Sequence, residues 1–156
     1  MKLLFKQRFF SWFDSYDIYD EQGRTVYEVK GQLSWGHKLV IYDADGREVG
    51  MVKERVLTLL PRFEIYKNNQ YIGELHREFT FFIPSYHIDY NGWQIDGNFL
   101  EWDYAISDRN GRTVAKIGKE LLHWTDTYVL DIKNPADALD VLMFTLAMDA
   151  EKCSRN

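Results

Sequence analysis

The sequence predicts a mainly β domain with one helix, arranged as a closed antiparallel barrel of about twelve strands around a central, buried C-terminal helix. Two observations support this prediction. A hairpin-like unit recurs along the chain, and the final segment, residues 134–150, is helical with apolar side chains in nearly every direction. A helix without a polar stripe must be surrounded by protein. A sheet that surrounds a helix of about sixteen residues is a wide, closed barrel, which the helix fills.

The recurring unit is most regular in three places. It reads YDIYDEQGRTV from Tyr16, LVIYDADGREV from Leu39 and YAISDRNGRTV from Tyr104, and looser copies begin at Phe63 and Tyr86. Each copy has an alternating strand, a polar turn and a second strand, in which the Asp can bond its own backbone and the Gly can take a positive φ. Five such hairpins account for about ten strands. Residues 43–46, DADG, are therefore predicted to be a hairpin turn, because the remaining ligands of a calcium loop are missing.

Two later segments alternate with the period of a half-buried strand. In FLEWDYAIS, residues 99–107, Trp102, Tyr104 and Ile106 follow Leu100 on one face. In LLHWTDTYVLDI, residues 121–132, an apolar row runs from residue 122 to 132, and Asp126 is the only charge in it. Thr127 falls on the opposite, polar face of this row. Both segments are predicted to contribute strands to the barrel.

The helix has a recognisable beginning. Asn134 is a good N-cap, Pro135 occupies the first helical position, where its missing N–H costs nothing, and Asp137 lies near the positive end of the helix dipole. The helix is thus predicted to start at this point.

The composition indicates one soluble domain, residues 1–156, and excludes several classes of protein. A net charge of −5 is unlike that of a protein whose main partner is a nucleic-acid backbone. The single cysteine, Cys153, cannot form an intrachain disulfide or a thiolate metal cluster, and it favours a reducing compartment. The first ten residues lack the apolar core of a secretory signal, and the longest uncharged stretch of the final segment, residues 141–148, is too short to cross a bilayer. We expect a cytoplasmic protein without a membrane span.

The chain resembles a known family over essentially its whole length. KLLFKQRFFSWFDSYDIYDEQGRTVYEVKG, LVIYDADGREVGMVKERVLTLLPRFEIY and the terminal hydrophobic helix are together similar to a bacterial member of the LURP-one-related family. Those proteins resemble the C-terminal domain of tubby proteins and the phospholipid scramblases. The resemblance implies a twelve-stranded barrel closed around a central helix. It also implies a role at membranes, because tubby domains bind phosphoinositide head groups at a basic surface site and scramblase-like members act at membranes.

Parts of that family pattern do not match this chain. No tubby lipid-site motif matches residue by residue, so no site residue is carried over. The transmembrane tail and the cysteine cluster of the scramblases are missing from the sequence, which argues against a scrambling activity.

The sequence contains no motif for catalysis or metal binding. The four histidines, His37, His76, His87 and His123, lack the spacing of a metal site, although His76 and His87 could meet across a hairpin. No nucleophile motif is present, and a catalytic triad formed only in three dimensions is neither supported nor excluded. We therefore predict no catalytic residue, no metal site and no cofactor.

Four basic residues are candidates for binding anionic lipid: Lys53, Arg55, Arg62 and Lys67. Each cation near an anionic surface contributes about 1 kcal/mol, and Lys53 and Arg55 share one strand face. The alternative is an ordinary solvated face of mixed charge, since glutamates at 48, 54 and 64 interleave with the cations. The aromatic cluster FFSWF, residues 9–13, would fit either a membrane interface or the packing of a first strand.

The function predicted from these observations is a non-catalytic module that binds lipid head groups at the inner membrane surface. Its expected partner is an anionic phospholipid or a protein, and no nucleic acid. One alternative is a protein-interaction scaffold. Another is an enzyme with a site on the barrel rim. Because the predicted helix fills the barrel, little interior volume would be left for a substrate.

Overall fold

Alternating apolar side chains along successive strands produce a closed β-barrel with an apolar interior. A computed structural model describes residues 1–6, 15–32, 34–78, 85–89, 91–98, 101–122 and 125–154. Within these residues the barrel has twelve strands: β1 Lys2–Lys6, β2 Ser15–Tyr19, β3 Thr25–Gly31, β4 Lys38–Asp43, β5 Glu48–Glu54, β6 Arg62–Lys67, β7 Gln70–Glu78, β8 Ser85–Ile88, β9 Gln94–Asn98, β10 Asp103–Ser107, β11 Thr113–Leu122 and β12 Thr125–Ile132. The predicted fold class is confirmed.

Each strand pairs antiparallel with its neighbour in the sequence, so the sheet is one continuous meander. The barrel closes where β1 pairs with both β2 and β12. At this closure the N-terminal ammonium of Met1 donates to the carbonyl of Ile132 at 3.2 Å. Every strand that the structure describes therefore has a neighbour on both sides.

The repeated Asp-Gly turns have the geometry that the sequence predicts. Asp20, Asp43 and Asp108 each accept hydrogen bonds at 2.8–3.0 Å from the backbone N–H groups two and four residues further along. The glycine of each turn has φ between +73° and +77°. Because the strands are antiparallel, these turns lie at the same end of the barrel, which we call the turn end.

The chain enters the barrel interior at the turn end. A 3₁₀ turn, Pro135–Asp137, begins at Asn134, whose side chain accepts from the backbone N–H of Ala136 at 3.1 Å. Helix α1 follows as Ala138–Ser154, and its residues 141–150 are all buried. Gly50 of β5 makes room for it, since a Cβ at that position would lie 3.0 Å from the sulfur of Met143. The helix is central, as predicted.

A few polar groups accompany the helix into the interior. The buried Thr145 hydroxyl donates to the carbonyl of Val141 at 2.9 Å, which satisfies its donor within the helix. Further along, burial raises the pKa of Asp149 to about 7, while the charge of Lys152 opposes this shift. The ammonium of Lys152 lies 4.3 Å from the centre of the Trp102 ring. The polar groups are thus concentrated towards the helix C-terminus.

The prediction of one apolar row over residues 122–132 is wrong. Strand β11 ends at Leu122, β12 begins at Thr125, and these two residues are paired, so the chain reverses within the segment. The alternation continues across the reversal because both strands have the same period of two. Thr127, assigned from the pattern to the polar face, is buried, while Tyr128 and the later apolar residues of the row are buried as expected.

Candidate functional site

The end of the barrel opposite the turn end carries longer connections. Among the described residues these are 34–37 between β3 and β4, 55–61 between β5 and β6, and 101–102 before β10. We call this the loop end. The C-terminal part of α1 reaches it, because Lys152 contacts Trp102 there.

Exposed apolar side chains are concentrated at the loop end. Of the six large hydrophobic residues that the described part of the chain exposes, four lie in two neighbouring loops there: Trp35 (89% exposed), Val56 (42%), Leu57 (103%) and Leu59 (97%). We call these four residues the apolar tip. Single exposed hydrophobic residues are ordinary, whereas a cluster of them indicates an interaction surface.

The backbone of the tip is held in an uncommon conformation. Leu57 has φ +63°, in the left-handed region that residues other than glycine rarely occupy. Such a conformation costs of order 1–3 kcal/mol and persists only where the surrounding structure imposes it. The fold thus keeps an apolar side chain in water at a conformational cost, which is a reason to look for a partner.

Hydrogen bonds and close packing connect the two loops of the apolar tip. The Glu54 carboxylate accepts hydrogen bonds from the backbone N–H and from Nδ1 of His37, both at 2.9 Å. Burial lowers the pKa of His37, although the negative charge of Glu54 opposes this shift. Gly36, with φ +88°, passes so close to Val56 that a Cβ would lie 2.8 Å from its Cγ1. Trp35 and the loop at 55–61 therefore present one joint surface.

Three of the four predicted basic residues lie beside the apolar tip. Arg62 forms an ion pair of 2.7 Å with Glu74, and Arg55 approaches the same carboxylate at 3.5 Å. Arg55 also lies 3.8 Å from Glu64. In the part of the chain that the structure describes, no carboxylate forms an ion pair with Lys53. Lys53 is thus the cation of this group most available to a ligand.

The fourth basic residue does not belong to this group. Lys67 is at the turn end of β6, and its Nζ lies 3.1 Å from the Asp140 carboxylate at the beginning of α1. Five residues of strand separate it from Arg62, a distance of about 17 Å. Lys67 joins the helix to the barrel wall, and the four cations do not form a single patch.

A pocket opens between the two loops. It has a volume of about 320 Å³ and is lined by Ser34, Trp35, Lys53, Glu54, Arg55, Val56 and Glu64. The lining includes the cations Lys53 and Arg55, the acidic residues Glu54 and Glu64, and the exposed indole ring of Trp35. This size lies at the lower end of the range for small-molecule sites.

The remaining candidates show no comparable site. His76 and His87 do meet on adjacent strands, with ring centres 6.3 Å apart. Over the described ranges, no three side chains of the metal-binding types lie close enough together to hold a metal ion. None of the helices described is both long enough and apolar enough to cross a bilayer. The aromatic cluster at 9–13 lies outside the described residues.

Sequence reasoning missed the apolar tip itself. No motif or strand pattern in the sequence marks Trp35, which lies in the connection between β3 and β4. A useful signal was present, because a tryptophan and several leucines within connections, where no strand face can bury them, are candidates for exposure.

Comparisons with known proteins agree with the observed architecture. The family model for LURP-one-related proteins matches residues 1–149. The uncharacterized protein YxjI of Bacillus subtilis strain 168 is 28% identical over 150 residues, which cover 96% of this chain and 92% of that protein. An X-ray structure of a protein from Arabidopsis thaliana matches with a TM-score of 0.63 and 13% identity, over 95% of this chain and 90% of the other. At that identity the structural match shows the fold alone.

Proposed function

The chain belongs to the LURP-one-related family, and we propose that it is a non-catalytic module that binds an anionic membrane surface through the loop end of its barrel. The observation that carries this proposal is the apolar tip beside Lys53 and Arg55. Reversible membrane binding combines two contributions. Apolar side chains enter the interface, and neighbouring cations contact the anionic head groups.

The magnitudes indicate whether apolar insertion or charge contributes more to the free energy of binding. Complete removal of a leucine side chain from water is worth about 1.5–3 kcal/mol, and each cation near an anionic surface contributes about 1 kcal/mol. Arg55 and Arg62 contribute less than this, because Glu74 already shares their charge. Insertion of Leu57 and Leu59 therefore contributes more to the free energy of binding than the cations do. High salt should weaken binding without abolishing it.

The distribution of charge supports an orientation with the loop end towards the bilayer. Residues 53–62 contain three cations and one carboxylate, whereas residues 43–48 at the turn end contain three carboxylates and one arginine. An anionic surface attracts the first segment and repels the second.

The direct test is flotation of the purified protein with phosphatidylcholine vesicles and with vesicles that also contain phosphatidylglycerol, at low and high salt. We expect flotation with the anionic vesicles and partial release by salt. In Leu57→Ser/Leu59→Ser the partition should fall at least roughly 100-fold, because two buried leucines contribute about 3 kcal/mol or more. Tyr71→Ser, which removes an exposed aromatic ring at the turn end of β7, is the matched control and should float like the parent.

The charged contribution has its own variants. Lys53→Glu should weaken flotation with the anionic vesicles, and Lys116→Glu, an exposed lysine on β11, should have little effect. Equal flotation of the parent and the double leucine variant would remove the assignment of the apolar tip. The same tip would also serve a protein-interaction scaffold, and a stoichiometric protein partner that survives high salt, together with no flotation, would favour that second function.

A further inference from the structure

The pocket beneath the apolar tip differs from a simple anion site because its charges are balanced. Lys53 and Arg55 supply two positive charges, and Glu54 and Glu64 supply two negative ones. A phosphate at Lys53 would lie close to the Glu64 carboxylate on the paired strand, and like charges in a partly desolvated pocket repel. The pocket is better matched to a ligand that carries both signs.

The hydrogen bonds show which of these charges are already occupied. His37 contacts one oxygen of Glu54, Oε2, through its backbone N–H and its Nδ1, both at 2.9 Å, and Glu54 lies on the strand face opposite to Lys53. Arg55 divides its guanidinium between Glu64 and Glu74, at 3.8 and 3.5 Å. Both of these distances exceed those of a strong charge-assisted hydrogen bond. Some side chains of the pocket can therefore still form hydrogen bonds or ion pairs with a ligand.

The retained capacity consists of one cation and one anion on neighbouring strands. Lys53 of β5 and Glu64 of β6 are paired residues, so their side chains leave the sheet side by side on the same face. Over the described ranges Lys53 has no ion pair. One oxygen of Glu64 accepts from the hydroxyl of Tyr66 at 2.9 Å, and among the described residues the other has a single long contact, with Arg55 at 3.8 Å.

We propose that this pocket binds the phosphoethanolamine head group of a membrane phospholipid, with the phosphate at Lys53 and Arg55 and the ammonium group at Glu64. This proposal rests on the proposed function, since the acyl chains of the bound lipid would lie beside the apolar tip. The phosphate and the ammonium group are separated by two carbons, a span that suits two side chains on paired residues.

The chemistry of the pocket favours ethanolamine over choline. A primary ammonium donates up to three hydrogen bonds, and the acceptors at the pocket are the Glu64 carboxylate and the Ser34 hydroxyl. A quaternary ammonium donates none and is bound chiefly by several aromatic faces together, whereas this pocket has the single indole of Trp35. Trp35 thus adds attraction for either cation, and Glu64 supplies the discrimination.

The first experiment uses soluble head groups, so that it does not depend on vesicle binding. Glycerophosphoethanolamine, glycerophosphocholine and glycerol 3-phosphate are titrated separately while the indole N–H signal of Trp35 is followed by NMR. We expect glycerophosphoethanolamine to shift this signal at a concentration at least roughly tenfold lower than the other two, the factor for one added hydrogen bond to a charged group. Equal or stronger responses to glycerol 3-phosphate, or no response to any of the three, would overturn the proposal.

The second experiment compares flotation with vesicles of phosphatidylcholine and phosphatidylglycerol that contain or lack phosphatidylethanolamine. The parent should prefer the ethanolamine vesicles, and Glu64→Gln, which keeps the shape and removes the charge, should lose this preference. Glu48→Gln, an exposed carboxylate at the turn end of β5, should retain it. Flotation without any ethanolamine preference refutes the head-group assignment and leaves the proposed function standing. Failure to float with any vesicle refutes the proposed function, while the NMR titration still decides the pocket.

Discussion

A substitution inside the barrel tests the electrostatics of the interior. Asp149 lies in α1 with only 6% of its surface exposed, and burial raises its pKa from the ordinary 3.8 to about 7. The charge of Asp149 also raises the pKa of the buried Tyr104. The positive charge of Lys152 opposes the rise in the pKa of Asp149. We expect Asp149→Asn to stabilise the protein at alkaline pH and to have little effect at acidic pH.

The sign and the size follow from proton binding. Between about pH 4 and pH 7 the folded protein keeps the Asp149 proton and the unfolded chain has released it, so stability falls as pH rises through this window. Above about pH 7 the folded protein carries a buried charge, and the difference in pKa corresponds to roughly 4 kcal/mol. A variant with a neutral amide avoids this penalty. Its advantage should therefore grow from near zero at about pH 4 to as much as roughly 4 kcal/mol at pH 8.5.

Urea denaturation of the parent and Asp149→Asn at both pH values measures this difference. Asp45→Asn, at an aspartate whose side chain is 69% exposed, is the control and should show no such pH dependence. A constant difference between the parent and Asp149→Asn at both pH values would mean that folding does not shift the pKa of Asp149. The reasoning from burial would then be wrong.

Three further predictions concern the helix, the turns and the apolar tip. Phe144→Asp should abolish the cooperative thermal transition, because it buries a charge. Phe144→Ala should keep the transition and lower stability by about 3–5 kcal/mol. Cooperative melting of Phe144→Asp near the parent temperature would contradict a central helix. Asp43→Ala should lose about 1–2 kcal/mol in urea denaturation through two turn hydrogen bonds, whereas an effect no larger than that of Asp45→Ala would deny these bonds a role. Leu57→Gly should keep or raise stability, because glycine accepts φ +63°, yet float less with vesicles; reduced stability would mean that Leu57 packs against the fold.

Much of the fold could be read from the sequence because its signals are local. Asp43 and its equivalents form hydrogen bonds with backbone groups two and four residues away. Five consecutive residues are therefore enough to predict each turn. The N-cap at Asn134 and the all-apolar helix after it are equally short-range features. A helix without a polar face leaves few arrangements other than enclosure by the sheet. The reversal between β11 and β12 escaped prediction because two strands of the same period, joined closely, resemble one.

What only the tertiary structure decided is which residues meet. Arg62 and Lys67 lie on one six-residue strand, and the sequence grouped them, but they occupy opposite ends of the barrel with different carboxylate partners. Trp35 and Leu57 are far apart in the chain, and the contact of Gly36 with Val56 brings their loops together. Alternation and turn chemistry act over a few residues and therefore determine the strands. The barrel end that each loop occupies, and the side chains left exposed there, depend on closure of the whole sheet.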